Sequence, residues 1–281
     1  MLGKDATILV AVSALLLFLT YIFLGLRLFV RLSLTHGFGV DDGLLIVAQA
    51  AFTTIILLVF VGISYGIGRH NHELDHENMV SALLCQALTV ILYVITMMFI
   101  KLSIGIFLIR FIKAPIYVYA IWASMFIVTI WSVVIFFWDL FQCWPIDAQW
   151  DFTIEGARCV SPRQIVLAAQ SFSIMTISTD LFYAIVPIPT IWKLQMSNTK
   201  RVAVSLVLGL GVLASVATII RYQHLDGLTD LDDLLYTATE PLLWTVVEPG
   251  VAIIASSLVS LKPLLSGLSS KKKCLLSIND I

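Results

Sequence analysis

Four acidic or basic side chains that could move a proton, and four more residues that could hold a ligand, sit where their surroundings should discourage them. Asp180 follows sixteen uncharged residues and precedes twelve more. Glu248 lies beside Pro249 and Gly250 inside another apolar run, with Glu240 two helical turns earlier. A carboxylate at the centre of an apolar helix costs roughly 2.5 to 3.5 kcal/mol to insert into a bilayer, so these acids should turn toward a bundle interior. There a carboxyl group is suited to proton transfer. Asp180, Glu248 and Glu240 are therefore catalytic candidates, and His70, at the edge of an apolar segment, is a fourth acid or base.

Lys101 and Arg221 are the cations nearest these acids along the apolar segments. Lys101 is expected at the inner end of its span, free to pair with Asp180 or to reach the inner surface along its own stem. Arg221 is expected nearer the outer rim, with Arg69. Trp244 stands four residues from both Glu240 and Glu248, a spacing that places the three along one helix face. An aromatic between two carboxylates suits a lipophilic guest of cationic character, although a packing Trp explains the spacing equally well. Trp244, Arg69, Arg221 and Lys101 are the ligand-binding candidates. His70, His72 and His76 share one loop, which lacks a second Cys or His group at a zinc spacing, so no metal is expected.

The elements that must position these groups follow from composition. The chain has 281 residues, 59% hydrophobic and 12% charged, with a net charge of -1 and a mean hydropathy of +0.98. This describes an all-α polytopic membrane protein and gives no basic footprint for nucleic acid. Crossing about 30 Å of hydrocarbon takes about 20 apolar residues. Such stretches occur at 6–26, 43–65, 79–100, 114–138, 164–192, 202–220 and 237–261, which predicts a seven-helix bundle within residues 1–262 and a short basic tail over 263–281. Pro187 and Pro189 predict a broken inner half of the fifth helix. Lys and Arg fall unevenly between the two sets of loops, eleven against five, which predicts an N-terminus outside or in a lumen and a C-terminus in the cytoplasm.

Cys143 and Cys159 share the long outer loop and are expected to form a disulfide, with two free thiols as the alternative. Asp41 and Asp42, among Gly37, Gly39 and Gly43, could cap the second helix or pair with Arg27 and Arg31.

The segments His36–Asp42 (HGFGVDD), Tyr65–His70 (YGIGRH), Ile95–Phe111 (ITMMFIKLSIGIFLIRF), Cys143-Trp144-Pro145 with the later Trp150 and Cys159, Thr179–Met196 (TDLFYAIVPIPTIWKLQM) and a last span bearing Glu240 and Glu248 resemble the fungal rhodopsin-like integral membrane proteins. The resemblance covers nearly the whole chain, in order. It implies a seven-helix bundle from a filamentous fungus. Its members include relatives of a pathogenicity receptor and proteins encoded in biosynthetic clusters for secondary metabolites. Retinal is not expected, because the last span over 237–261 holds no lysine for a Schiff base.

Three functions remain open on these grounds. One is an accessory or tailoring component of a secondary-metabolite pathway that binds a lipophilic metabolite inside the bundle, and, if an enzyme, a cofactor-free cyclase or isomerase. Its expected partners are the bilayer, the small molecule and other pathway enzymes, with no nucleic acid. The second is a receptor-like sensor of an external cue, for which the twenty residues after the last span are a short tail. The third is a transporter, although no internal repeat is visible. Endoplasmic reticulum and plasma membrane fit equally.

Overall fold

The computed structural model describes residues 4–34, 36–70, 74–112, 114–186, 209, 215–223 and 234–260. Within them the chain is almost wholly helical. Helix α1 (Lys4–Phe29) runs into a π-helical turn over Val30–Leu34, and α2 (Val40–Tyr65), α3 (His76–Phe111), α4 (Pro115–Leu140) and α5 (Pro162–Ile185) follow. A helical segment, α6, covers 215–223. The short α7 (Leu234–Thr237) then leads into α8 (Thr239–Ser260). Six helices among the described residues are long and apolar enough to cross a membrane. The expected span over 202–220 and the Pro187–Pro189 break lie largely or wholly outside the described residues, as does the tail.

Local chemistry sets the helix ends. Pro162 begins α5 behind Ser161, and the Gln164 side chain accepts a hydrogen bond from the Ser161 backbone N–H at 3.3 Å. Pro115 opens α4 in the same way. Helix α2 starts three residues earlier than expected: Asp41 and Asp42 stand in its first turn, and Asp42 Oδ2 accepts from the Gly39 N–H at 3.1 Å. It ends at Gly66, whose φ of 129° suits a residue without Cβ and lets its N–H reach the Gly62 and Ile63 carbonyls. Helix α3 runs eleven residues beyond the expected end at Ile100. Nothing in LSIGIFLIRF breaks a helix except Gly105, and there α4 comes so close that an added Cβ would stand 2.7 Å from the Met125 sulfur.

The bundle packs α2 against α3, α1 against α8, and α3 against α4, α5 and α8. Its core runs from Ala6 and Leu9 through Phe52, Ile55 and Ile56 to Tyr93, Met97, Val246 and Ile253. The outward faces are apolar as well; on α4, Ile116, Tyr119, Trp122 and Phe126 are all exposed. That inside-out pattern suits helices solvated by lipid. Hydroxyls are mostly closed onto their own helices: Thr89, Thr96, Thr129 and Thr245 each donate to the carbonyl four residues back.

One end of the bundle is closed by a small covalent plug. The strand β1 (Cys143–Trp144) pairs antiparallel with β2 (Arg158–Cys159), and a disulfide joins Cys143 to Cys159. The expected bridge is thus present. His76 at the start of α3 reaches Asp151 of this loop at 3.6 Å. Asp151 also accepts from the Thr153 hydroxyl and backbone N–H, and these bonds, with His76 beside them, hold its carboxyl below the ordinary carboxylate range.

Candidate functional site

Helix α5 carries the site's scaffold. Ser173, Thr176, Asp180 and Tyr183 recur at intervals of three and four, which puts them on one face, and all four are buried. Helix α3 presents Tyr93, Met97 and Lys101 at intervals of four, all buried. Helix α8 adds Glu248, and α6 adds Arg221. Polar side chains from four helices therefore meet in the interior of an otherwise apolar bundle.

They form two linked ion pairs. Lys101 Nζ sits 2.5 Å from Asp180 Oδ1 and donates to the Thr176 carbonyl at 3.1 Å. Arg221 Nε lies 3.4 Å from Glu248 Oε2, its Nη2 donates to Ser173 Oγ at 2.9 Å, and its guanidinium carbon stands 4.7 Å from the centre of the Tyr93 ring. The Tyr93 hydroxyl donates to the same Glu248 Oε2 at 2.7 Å. Glu248 lies within electrostatic range of Asp180, so the two pairs act as one cluster. Two cations face two carboxylates, and the fully ionised cluster is neutral.

Arg221 Nε faces Glu248 as an ion pair without hydrogen-bond alignment, and three further buried atoms of this cluster have no hydrogen-bond partner among the described residues: Asp180 Oδ2, Thr176 Oγ1 and Glu248 Oε1. Buried polar atoms are nearly always satisfied, so these three stand out as groups whose partner is not among the described residues. Leaving such a group unmade costs about 1 to 3 kcal/mol each.

The expected site residues divide sharply. Lys101, Asp180, Arg221 and Glu248 converge. Lys101 is not at a span's inner end: α3 continues past it, it is 2% exposed, and its stem is held inside by Asp180 rather than reaching a surface. Arg221 is not at the rim either, because Glu248, Tyr93 and Ser173 draw its guanidinium into the core. Glu240, by contrast, is exposed while Glu248 is fully buried. Successive steps of four residues rotate by about 40° on a helix of 3.6 residues per turn, so a spacing of eight carries the two acids well apart. Trp244, between them, is half-buried. Arg69 is exposed, and the half-buried His70 stacks on Tyr236 with ring centres 4.4 Å apart, beside the Gly68 N–H bond to the Leu235 carbonyl. Those residues join the α2–α3 turn to α7 and form no part of the interior cluster. No group of three metal-ligating side chains occurs among the described residues. His72 lies outside them.

Tyr93, Ser173 and Thr176 were not anticipated as site residues. The signal was present: Tyr93 precedes Lys101 by two turns, and Ser173 and Thr176 precede Asp180 on one face.

A second buried cluster lies at the end of the bundle away from the disulfide. Arg27 is 1% exposed and donates through Nη2 to Asp41 Oδ2 at 2.8 Å, through Nε to Asp42 Oδ1 at 2.7 Å and through Nη1 to the Ser256 carbonyl at 2.7 Å. Arg31 approaches both aspartates, at 3.4 and 3.8 Å. Arg110 Nη2, from the end of α3, lies 2.8 Å from Asp41 Oδ1 as an ion pair without hydrogen-bond alignment. Asp42 thus caps α2, and Asp41 and Asp42 both pair with Arg27 and Arg31.

The chain matches the fungal rhodopsin domain over residues 26–267. Among curated proteins it is similar to Fugralins biosynthesis cluster protein 2 of Gibberella zeae, 34% identical over 107 residues, which is 38% of this chain and 26% of that one. It is also similar to Polyenoic acids biosynthesis gene cluster protein Ba17b of Metarhizium anisopliae, 28% identical over 137 residues, 45% of this chain and 36% of the relative. A SAT4 family membrane protein of Emericella nidulans is 28% identical over 88 residues, 31% of this chain and 22% of the relative. The matched regions therefore span between about a fifth and about a third of these relatives' own lengths. No solved structure matches the chain. On the match across most of its length, the chain belongs to the fungal rhodopsin domain family of membrane proteins.

Proposed function

We propose that this protein is a seven-helix membrane component of a secondary-metabolite pathway that binds a lipophilic intermediate at the Asp180–Glu248 cluster and isomerises or cyclises it without a cofactor. The observation that carries this reading is Glu248 Oε1, a buried carboxylate oxygen without a hydrogen-bond partner among the described residues, while its twin is held by Tyr93 and Arg221. The names of two relatives, each a biosynthesis cluster protein, support the pathway. The seventh crossing would be 202–220, and the N-terminus would face the outside or a lumen with the disulfide. The excess of Lys and Arg in the opposite loops supports that orientation.

A single carboxylate suffices for the chemistry. Glu248 Oε1 takes a proton from one carbon of the guest, becoming a neutral acid, and returns that proton to another carbon, so that a double bond moves or a ring closes with no net change in composition. Arg221 and Tyr93, both on Oε2, stabilise the anion before and after the shuttle. The apolar walls exclude water that would trap the intermediate.

The test is metabolite profiling in the producing strain with Glu248→Gln, protein abundance being followed in the same cells. Loss of one product with accumulation of its isomer or uncyclised precursor, at normal abundance, supports the reading; an unchanged profile removes it. A sensor of an external cue is the second reading, favoured by the Arg110–Asp41 pair. That contact latches the end of α3 to α2 beside a partly exposed arginine. It predicts an unchanged metabolite profile and an altered transcriptional response in the same strain.

A further inference from the structure

Thr176 and Asp180 stand one turn apart on the same face of α5, which brings their side chains to about 5 to 6 Å between Cβ atoms. Thr176 Oγ1 departs from the other threonines of the bundle. Where Thr89, Thr96, Thr129 and Thr245 spend their hydroxyls on their own helices, Thr176 Oγ1 is buried with no hydrogen-bond partner among the described residues, and so is Asp180 Oδ2. The other oxygen of Asp180 is occupied by Lys101, and Lys101 also holds the Thr176 carbonyl, which fixes the turn between the two residues. The arrangement is one fixed donor next to one fixed acceptor.

We propose that Thr176 and Asp180 form the anchor for a neutral hydroxyl group on the guest molecule. This rests on the reading that the bundle takes a lipophilic guest, and it names the chemical class: an aliphatic or polyene alcohol. A hydroxyl oxygen making two bonds of about 2.8 Å bridges two side chains at this separation, accepting from the Thr176 hydroxyl and donating to Asp180 Oδ2. Other head groups fail for separate reasons. A carboxylate or sulfonate adds a negative charge to a cluster whose two cations already face two carboxylates. A quaternary ammonium adds an uncompensated positive charge and has no proton to give. An ether accepts from Thr176 but leaves Asp180 Oδ2 unpaired. Glu248, on α8, stays outside the anchor and keeps its free oxygen for the reacting carbons.

The anchor is testable without knowing the natural guest. The full chain, purified into nanodiscs of uncharged phospholipid, is photolabelled with a diazirine-bearing tetradecanol, and the labelled peptides are mapped. Competitors are tetradecanol, its methyl ether, tetradecanesulfonate and tetradecyltrimethylammonium. Labelling of α5 and α8 is expected, with tetradecanol displacing the probe at about tenfold lower concentration than the ether or either ion, the factor one well-made hydrogen bond provides. Thr176→Val, which removes a hydroxyl without a hydrogen-bond partner among the described residues, should lower labelling about fivefold to tenfold while the protein stays monodisperse. Equal competition by all four compounds, or labelling confined to the lipid-facing side of α4, overturns the anchor. Undiminished labelling in a folded Thr176→Val protein does so too. The competition series needs no variant, so a poorly folding Thr176→Val would leave the test intact. Failure here with product still lost in Glu248→Gln discards the alcohol and keeps the intramembrane reaction. Alcohol-selective labelling with an unchanged metabolite profile does the reverse.

Discussion

The two buried ionic clusters use the same residue types to opposite ends. At Arg27, the guanidinium bonds both aspartates and the Ser256 carbonyl, and Asp42 also caps α2. The cluster thus ties α1, α2, α8 and, through Arg110, α3. In that first cluster every carboxylate oxygen meets a cation or a backbone N–H, Asp41 Oδ1 through the Arg110 ion pair alone. Around Glu248 and Asp180, each carboxylate has one oxygen on a cation and one that meets neither a cation nor a hydrogen-bond donor among the described residues. A network whose oxygens all face cations or donors spends them on registry, whereas the second leaves one oxygen of each acid for a further partner, on the reading proposed above. The carboxylates are buried in both places; the first has three cations for its two acids and the second only two, so fewer of the second's oxygens are met.

Removing Arg27 should break the molecule most severely. Arg27→Met leaves two aspartates buried without their main partner, and the expected loss is about 3 to 5 kcal/mol. It reads as a large fall in abundance and in the thermal unfolding midpoint of the purified protein. Glu248→Gln should cost less, about 1 to 3 kcal/mol, because Arg221 retains Ser173 and the Tyr93 ring. Product, not protein, is what should disappear. A still sharper contrast comes from replacing a whole pair: Lys101→Met with Asp180→Leu should hold stability within about 1 kcal/mol, since swapping a buried pair for apolar side chains is often neutral. Function should nevertheless vanish. If that double variant unfolds as readily as Arg27→Met, the two clusters are equally structural and the distinction fails.

Smaller effects test the edges. Arg110 is 37% exposed at its side chain, so Arg110→Ala should cost less than about 1 kcal/mol by thermal unfolding. Asp151 lies outside the spans with its carboxyl depressed below 3.8 chiefly by Thr153. A depressed carboxyl stabilises the folded loop above its unfolded value and loses that contribution as pH falls through the lower, folded value. Thr153→Ala should therefore raise the Asp151 titration toward 3.8, seen by carboxyl NMR on the labelled protein, and leave behaviour near neutral pH unchanged.

Much of this was legible in order along the chain. The apolar runs located the starts of the described spans within a few residues, though not the end of α3, because insertion depends on the summed hydropathy of about 20 residues and little on their neighbours. Asp180 and Glu248 announced themselves as buried for the same reason: the lipid alternative is too costly. The Cys143–Cys159 bridge was expected from two cysteines sharing the one long loop, and it is present. Where the sequence reading erred, it did so on depth and direction. Lys101 was expected at the inner end of its span because a charge ends a hydropathy window, while its helix continues for ten more residues; its pairing with Asp180 was among the expectations and is present. Glu240 was grouped with Glu248 because a spacing of eight residues was treated as one face.

By itself the sequence determined that the chain is a helical membrane protein, which residues start its helices, and that isolated acids must look inward; each is a local or summed property of one segment. Only the tertiary structure decided which cation each acid meets, that Arg221 folds inward onto Tyr93, and that Thr176, Asp180 and Glu248 each have one buried atom without a hydrogen-bond partner among the described residues. Those outcomes depend on the rotation and depth of four helices against one another. Packing fixes such quantities, and no single segment encodes them.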